Sequence, residues 1–334
     1  MAKAVWFTGP RRAELIEEEV GPPAAGEIQV AARYSLISPG TELTLYRGEA
    51  DLPHLVIPTA DGQLPFPVKF AYQTIGEVVE AGAGSAWKPG DLVFCTHPHQ
   101  ERFNIVPEIG MVSRIPDGSN LRSAIFGTMF TTALGGHLDA PVRPGDCVAV
   151  AGLGLIGMFS AYLARLSAAR LVLIDPIEQR REKAGWIGAD AVVEPSQAVA
   201  KVEELTDGRG ADLFIEASGA PASLQTGLEA TGEDGVIDAV AWYGTRPVEL
   251  LLSREFHLRC HDLRSSHIAA IARGKYHGWD PERAFQTSVE YLSRIDESQL
   301  ISHEFPFAEA RGAYELIDAN PADTLGVLLV HEQY

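Results

Sequence analysis

The chain has 334 residues, 46% hydrophobic and 22% charged, with a formal charge of −18. That length suits about two domains at ~150 residues each, and the composition excludes disorder for the chain as a whole. The negative balance argues against a nucleic-acid backbone or an anionic membrane as partner. An anionic cofactor stays open, because a helix N-terminus binds phosphate without net basic charge. No stretch approaches the ~18 apolar residues of a membrane span. The apolar part of residues 1–10 is too short for a secretory leader and reads as a first strand. Cys95, Cys147 and Cys260 cannot build a disulfide framework. Free thiols suit a reducing cytosol, the expected location.

No repeat is visible, but the texture changes near residues 120 and 263. Before 120, short apolar stretches at 27–32, 74–79 and 91–95 alternate with glycine and proline, which predicts a β-rich unit with tight turns. Beyond 121 the period lengthens. Strands are predicted at 147–151, 171–174, 191–193, 213–215 and 236–240. Helices are predicted between them at 155–167, 178–186, 197–206 and 221–230. This alternation is that of an α/β fold, a doubly wound parallel sheet wrapped by helices. After 263 the pattern is mixed, with helices at 281–295 and 308–320 and a last strand at 326–330.

The strongest local signal is Gly152-Leu153-Gly154-Leu155-Ile156-Gly157. A bare G-x-G-x-x-G is weak, but this one follows a predicted strand and opens a predicted helix. Gly152 then serves the tight turn, Gly154 admits a pyrophosphate and Gly157 lets helix and strand approach. Asp175 ends the next strand, where a carboxylate accepts ribose hydroxyls and repels a 2′-phosphate. No basic residue directly follows it, although Arg180 is placed to flank the adenosine. NAD is therefore the expected cofactor, in preference to NADP.

With that motif behind a β-rich unit, the chain resembles the medium-chain dehydrogenase/reductase superfamily over essentially its whole length. The segments carrying the likeness are Thr74-Ile75-Gly76-Glu77-Val78-Val79-Glu80-Ala81-Gly82, Lys88-Pro89-Gly90-Asp91, Arg143-Pro144-Gly145-Asp146, the glycine motif, Ala184-Gly185-Trp186-Ile187-Gly188-Ala189-Asp190 and Glu216-Ala217-Ser218-Gly219. The resemblance implies a GroES-like catalytic domain over 1–120, a Rossmann domain over 121–263 and a return segment over 264–334 completing the first, with the substrate cleft between domains. It also implies that Ser218, Gly219 and the loop Ala241-Trp242-Tyr243 contact the dinucleotide. The family tendency to pair Rossmann sheets edge to edge implies a homodimer.

The departures matter as much. Zinc-dependent relatives carry Cys-Gly-Thr/Ser-Asp where this chain has Pro39-Gly40-Thr41-Glu42, and Gly-His-Glu where it has Ala71-Tyr72-Gln73. The lobe with four closely spaced cysteines is missing. The resemblance is thus to a zinc-lacking branch, near sorbitol/threonine-dehydrogenase-like and bacteriochlorophyllide-dehydrogenase-like proteins, and no metal ligand is assigned. Cys95, His97 and His99 alternate, and an extended strand would put them on one face. Pro98 interrupts that run and no fourth ligand is identifiable.

Without zinc, protein groups must hold the substrate oxygen and move its proton. Thr41 matches the family's relay hydroxyl. Tyr72 replaces a zinc-binding histidine and is expected to donate a hydrogen bond. His97 is the first choice of base, because an unperturbed imidazole titrates near neutral pH. Structural roles compete: Thr41 as a turn cap, Tyr72 as filler of the vacated space, Glu42 as the match of a family carboxylate that supports the site or as a surface acid. His257, His261 and His267 are the reserve. The leading reading is a zinc-independent, NAD(H)-linked oxidoreductase interconverting a secondary alcohol (polyol, sugar-derived or similar) and a ketone. A double-bond reductase of enones or quinones and an inactive dinucleotide-binding protein are the alternatives.

Overall fold

A computed structural model describes residues 1–50 and 61–332. Contacts divide the chain into two compact units, Met1–Thr128 with Phe285–Tyr334, and Met129–Ala284.

The first unit is built on two sheets. Its seven-stranded sheet centres on Ile28–Ile37, which pairs antiparallel with Thr74–Ala81 along one edge. The other edge is shared by Arg102–Ile105 and the closing strand Gly326–Val330. Alternation along Ile28–Ile37 separates two apolar clusters. Ile28, Val30 and Ala32 join Val93, Cys95 and Phe103 in one, and Ile37 joins Phe7, Tyr46, Tyr314 and Leu329 in the other. Helix Ala310–Ala319 buries Ala310, Ala313, Tyr314 and Ile317, the i, i+3, i+4, i+7 stripe that docks a helix on a core. It thereby carries Tyr314 to within 5.3 Å of the Tyr46 ring and 5.1 Å of Phe7.

The second unit is a six-stranded parallel sheet. Its order is Ala191–Val193, Arg170–Ile174, Cys147–Ala151, Ala211–Glu216, Thr231–Ala239, Asp262–Ser265. Cys147–Ala151 lies centrally and is buried at every position, as a parallel strand covered on both faces must be. The order reverses beside it, so the loops after Cys147–Ala151 and Ala211–Glu216 flank the switch point where such sheets bind ligands.

The GroES-like and Rossmann architecture expected from the sequence is the one observed. Two local differences have physical causes. The predicted helix 178–186 becomes Glu178–Lys183 and a 3₁₀ turn Ala184–Ile187, ended by Gly188 at φ +71°. An unforeseen helix, Thr41–Arg47, follows the Pro39-Gly40 turn and stops at Gly48 (φ +76°), whose N–H caps the last carbonyls.

Candidate functional site

In the second unit the glycine loop has the geometry a dinucleotide cradle needs. Gly152 takes φ +92°, and a Cβ there would come within 2.5 Å of the Ser218 backbone nitrogen. A Cβ on Gly157 would lie 1.7 Å from the Gly152 carbonyl oxygen. Gly154, by contrast, faces open space and caps helix Leu155–Arg165 without a side-chain bond, so the helix N-terminus is uncovered. The first helical residues, Leu155 and Ile156, place apolar side chains behind that end, Leu155 being buried.

Asp175 is buried, and both its oxygens are engaged. Oδ2 accepts the Leu153 N–H at 2.7 Å and Oδ1 the Ile177 N–H at 2.8 Å. A cleft of about 330 Å³ opens here, lined by Gly152, Gly154, Asp175, Arg180 and Ser218 of the residues the sequence singled out. It is also lined by Ile177, Pro195, Ser223 and Thr226, which the sequence gave no reason to choose. Ser223 and Thr226 lie one turn apart on helix Pro221–Ala230, so their shared face was legible only once that helix was placed.

A second acid was missed. Glu216 is fully buried at the end of its strand, and its carboxylate accepts the Ser218 N–H at 2.8 Å, the Ser218 hydroxyl, and the Gly219 N–H at 3.2 Å. Its Oε2 also takes the Tyr243 hydroxyl at 2.5 Å. Burial and this neighbour push the Tyr243 phenol up, so it stays protonated. Ala241 binds the Glu216 carbonyl through its N–H, and Trp242 is exposed. The signal was present as Glu216-Ala217-Ser218-Gly219, but burial of its acid is a tertiary property.

In the first unit, three hydroxyls meet. Tyr72 donates to Ser38 Oγ at 2.5 Å, and Thr41 also hydrogen-bonds to the phenol. Burial, then the charge of Glu42, pushes Tyr72 up to about 12, which makes it a donor at working pH and no base. Glu42 is fully buried: Oε1 accepts the Ser38 N–H at 2.9 Å, and Oε2 accepts the Tyr314 hydroxyl at 2.7 Å and faces His99 Nε2 at 3.0 Å. Its reading as a surface acid is therefore corrected. Ser38 and Tyr314 were not anticipated, and the sequence groups His99 only with Cys95 and His97, not as a partner of Glu42.

His97 differs from its expected state. Its ring stacks on Phe103 with centroids 3.6 Å apart, and Nδ1 bonds to the Pro98 carbonyl at 2.9 Å. Burial drives its pKa down to about 3, so the near-neutral titration that recommended it as a base is not available here. Nor do Cys95, His97 and His99 share a face. The strand ends at Cys95, His97 turns to Phe103 and His99 to Glu42. Among the reserve histidines, His261 bonds to the Thr231 carbonyl, His267 to the Ala269 N–H, and His257 is exposed.

The donor set does not fit a catalytic zinc. Pro39 offers no ligand atom, Tyr72 is held protonated, and the Gln73 amide is turned to the Leu36 carbonyl at 3.4 Å. Among the described residues no three of His, Cys, Asp and Glu are grouped to hold a metal ion.

Comparison with known proteins agrees with this architecture. Residues 156–285 match the family model described as "Zinc-binding dehydrogenase". The D-guloside 3-dehydrogenase of Escherichia coli (strain K12) is 27% identical over 97% of this chain and 98% of its own length. The L-threonine 3-dehydrogenase of Pyrococcus horikoshii is 27% identical over 69% of this chain and 73% of its own. Among solved structures, the alcohol dehydrogenase TADH from Thermus sp. ATN1 superposes with a TM-score of 0.80 at 24% identity, covering 99% and 100% of the two chains. By these likenesses the chain is similar to dehydrogenases of this kind and shares the fold of the alcohol dehydrogenases. The matched residues lie almost wholly in the second unit.

Proposed function

We propose that this protein is a zinc-independent, NAD(H)-linked dehydrogenase interconverting a secondary alcohol, on a polyol or sugar-derived molecule, and the corresponding ketone. The observation that carries this reading is the hydroxyl set Ser38–Tyr72–Thr41, gathered around Tyr72, the residue that replaces a histidine of the zinc-dependent relatives. Hydroxyls can orient an alcohol or a carbonyl oxygen, and a hydride acceptor does the rest. The nicotinamide cofactor supplies that acceptor. Gly152, Gly154 and Gly157 would admit its pyrophosphate at the helix N-terminus, and Asp175, with Arg180 beside it, would meet the adenosine ribose. The buried acid favours NAD over NADP, which in turn disfavours the double-bond reductase. The guloside relative supports a sugar-derived substrate.

Thr41 and Tyr72 hold the oxygen in this proposal. His97, neutral and stacked, serves as a wall of the centre rather than its base. A homodimer and a cytosolic location complete the reading. No helix among the described residues is long and apolar enough to cross a membrane, and all three cysteines are free.

The test is a panel of polyols, glycosides and ketones with NAD and NADP, run beside elemental analysis and chelation. NAD-dependent oxidation that survives chelator, in protein without stoichiometric zinc, is expected. One tightly held zinc per chain, or activity abolished by chelator, overturns the zinc-free reading. Tyr72→Phe and Thr41→Val should each cost roughly 10²–10³ in turnover with dinucleotide affinity unchanged.

A further inference from the structure

The hydroxyl set holds a residue that neither motif nor likeness pointed to. Ser38 is buried, precedes the Pro39-Gly40 turn, and receives the Tyr72 proton at 2.5 Å. Its backbone is fixed as well, because the Ser38 N–H donates to Glu42 Oε1 at 2.9 Å. Glu42 is itself held from two other elements, by Tyr314 of helix Ala310–Ala319 and by His99. A short contact between two hydroxyls, one of them on a clamped turn, is a directional device. While Tyr72 donates to Ser38, its oxygen presents only lone pairs to a third group. If the Ser38 hydroxyl rotates to donate instead, the phenol proton is released toward that third group. One contact thus accommodates both a hydroxyl, which can donate to Tyr72, and a carbonyl, which can only accept from it.

We propose that Ser38 is a positioning residue that sets the hydrogen-bond direction of Tyr72, and that Glu42 acts through Ser38 by fixing its turn. The proposal rests on the alcohol–ketone reading for its consequence in catalysis, but the Tyr72–Ser38 coupling itself needs no substrate. The ionisable groups recorded around this contact are Glu42, with Tyr314 and His99 behind it. Both burial and the Glu42 charge oppose ionisation of Tyr72, while the Ser38 and Thr41 hydroxyls favour it.

Two measurements separate this idea from the functional reading. In the first, tyrosinate absorbance is followed against pH in Glu42→Gln, alone and combined with Tyr72→Phe or Ser38→Ala. Glu42→Gln is expected to bring a tyrosine into titration at lower pH than in the parent. Adding Tyr72→Phe should remove that tyrosine, which distinguishes it from Tyr314, and adding Ser38→Ala should move it back up. A Tyr72 titration indifferent to Ser38→Ala overturns the coupling whatever the enzyme's substrate. In the second, with an active alcohol and its ketone, Ser38→Ala should lower kcat about tenfold and change the ratio of ketone to alcohol KM, while Ser38→Thr restores most of both. Equal KM ratios in parent and Ser38→Ala overturn the directional role. If no alcohol is oxidised, the functional reading fails and the titration still decides the coupling.

Discussion

Asp175 accepts the backbone N–H of Leu153 at 2.7 Å, so the acid ending the second strand of the parallel unit also fixes the glycine loop ending the first. Its second oxygen holds Ile177. Asp175→Ala should therefore do two things. It should narrow the preference for NAD over NADP, and it should lower the melting temperature, since each N–H left without an acceptor costs ~1–3 kcal/mol. Titration calorimetry with both dinucleotides, beside a melting curve, checks both. Unchanged affinities with a lowered melting temperature would make the acid purely structural.

Two glycines of the loop are expected to fail differently. Gly157→Ala puts a Cβ 1.7 Å from the Gly152 carbonyl oxygen, an overlap that helix and strand can relieve only by separating. Loss of folded protein is the expected result. Gly154→Ala meets no atom within 4 Å, so the protein should fold with a nearly unchanged melting temperature. The new methyl would occupy the approach to the helix N-terminus and weaken dinucleotide binding, about tenfold or more. Normal binding by Gly154→Ala would move the pyrophosphate elsewhere.

Asp238 gives the fold a pH dependence of definite sign. It is buried beside Ser266, whose hydroxyl lies 2.8 Å from one carboxylate oxygen and 2.9 Å from Asp139. Ser266 has one proton for two acids. Burial raises the Asp238 pKa from 3.8 to about 6, with the Asp139 charge adding to the rise and Ser266 opposing it. A folded-state value above the unfolded one means the contribution is fully present below pH 3.8 and is lost as pH rises through about 6. Asp238→Asn should therefore gain stability relative to the parent between those values and hold the gain above them, by roughly 2–3 kcal/mol. Melting temperatures of the two proteins across this range decide it; parallel curves would refute the assignment.

The strand Asp262–Ser265 ends the six-stranded sheet, paired among the described residues only with Thr231–Ala239, with Leu258 exposed just before it and Leu263 exposed within it. An unpaired edge with apolar neighbours suits pairing with a second copy. Leu258→Lys with Leu263→Lys should convert the proposed dimer to a monomer in light scattering without loss of secondary structure. A parent protein that is already monomeric removes the dimer.

Much of the parallel unit was legible because its information is local. Strand, glycine turn and helix are contiguous from Cys147 to Arg165, and a burial pattern without alternation marks the central strand. The hydroxyl centre was half legible. Thr41 stands out by matching a hydroxyl that relatives carry and Tyr72 by replacing a histidine, whereas Tyr314 reaches Glu42 from 272 residues away, through a helix packing that no window of sequence contains. His97 misled as a base because its burial against Phe103 is a tertiary property. The alternation of Cys95, His97 and His99 misled because it holds only while a strand continues, and this one stops at Cys95. Ser38 carried a faint signal, a small hydroxyl just before a Pro-Gly turn.

Glu216 gathers Ser218, Gly219 and Tyr243 onto one carboxylate. Two loops leaving neighbouring strands are thereby tied to one buried acid. Bonds within the chain restrict these loops, so part of their conformational entropy is lost during folding. Association with a dinucleotide then needs less loop search on this side. The same economy makes the surface brittle. A change at Glu216 would disorder both loops together, and the loss would reach residues that never touch the acid.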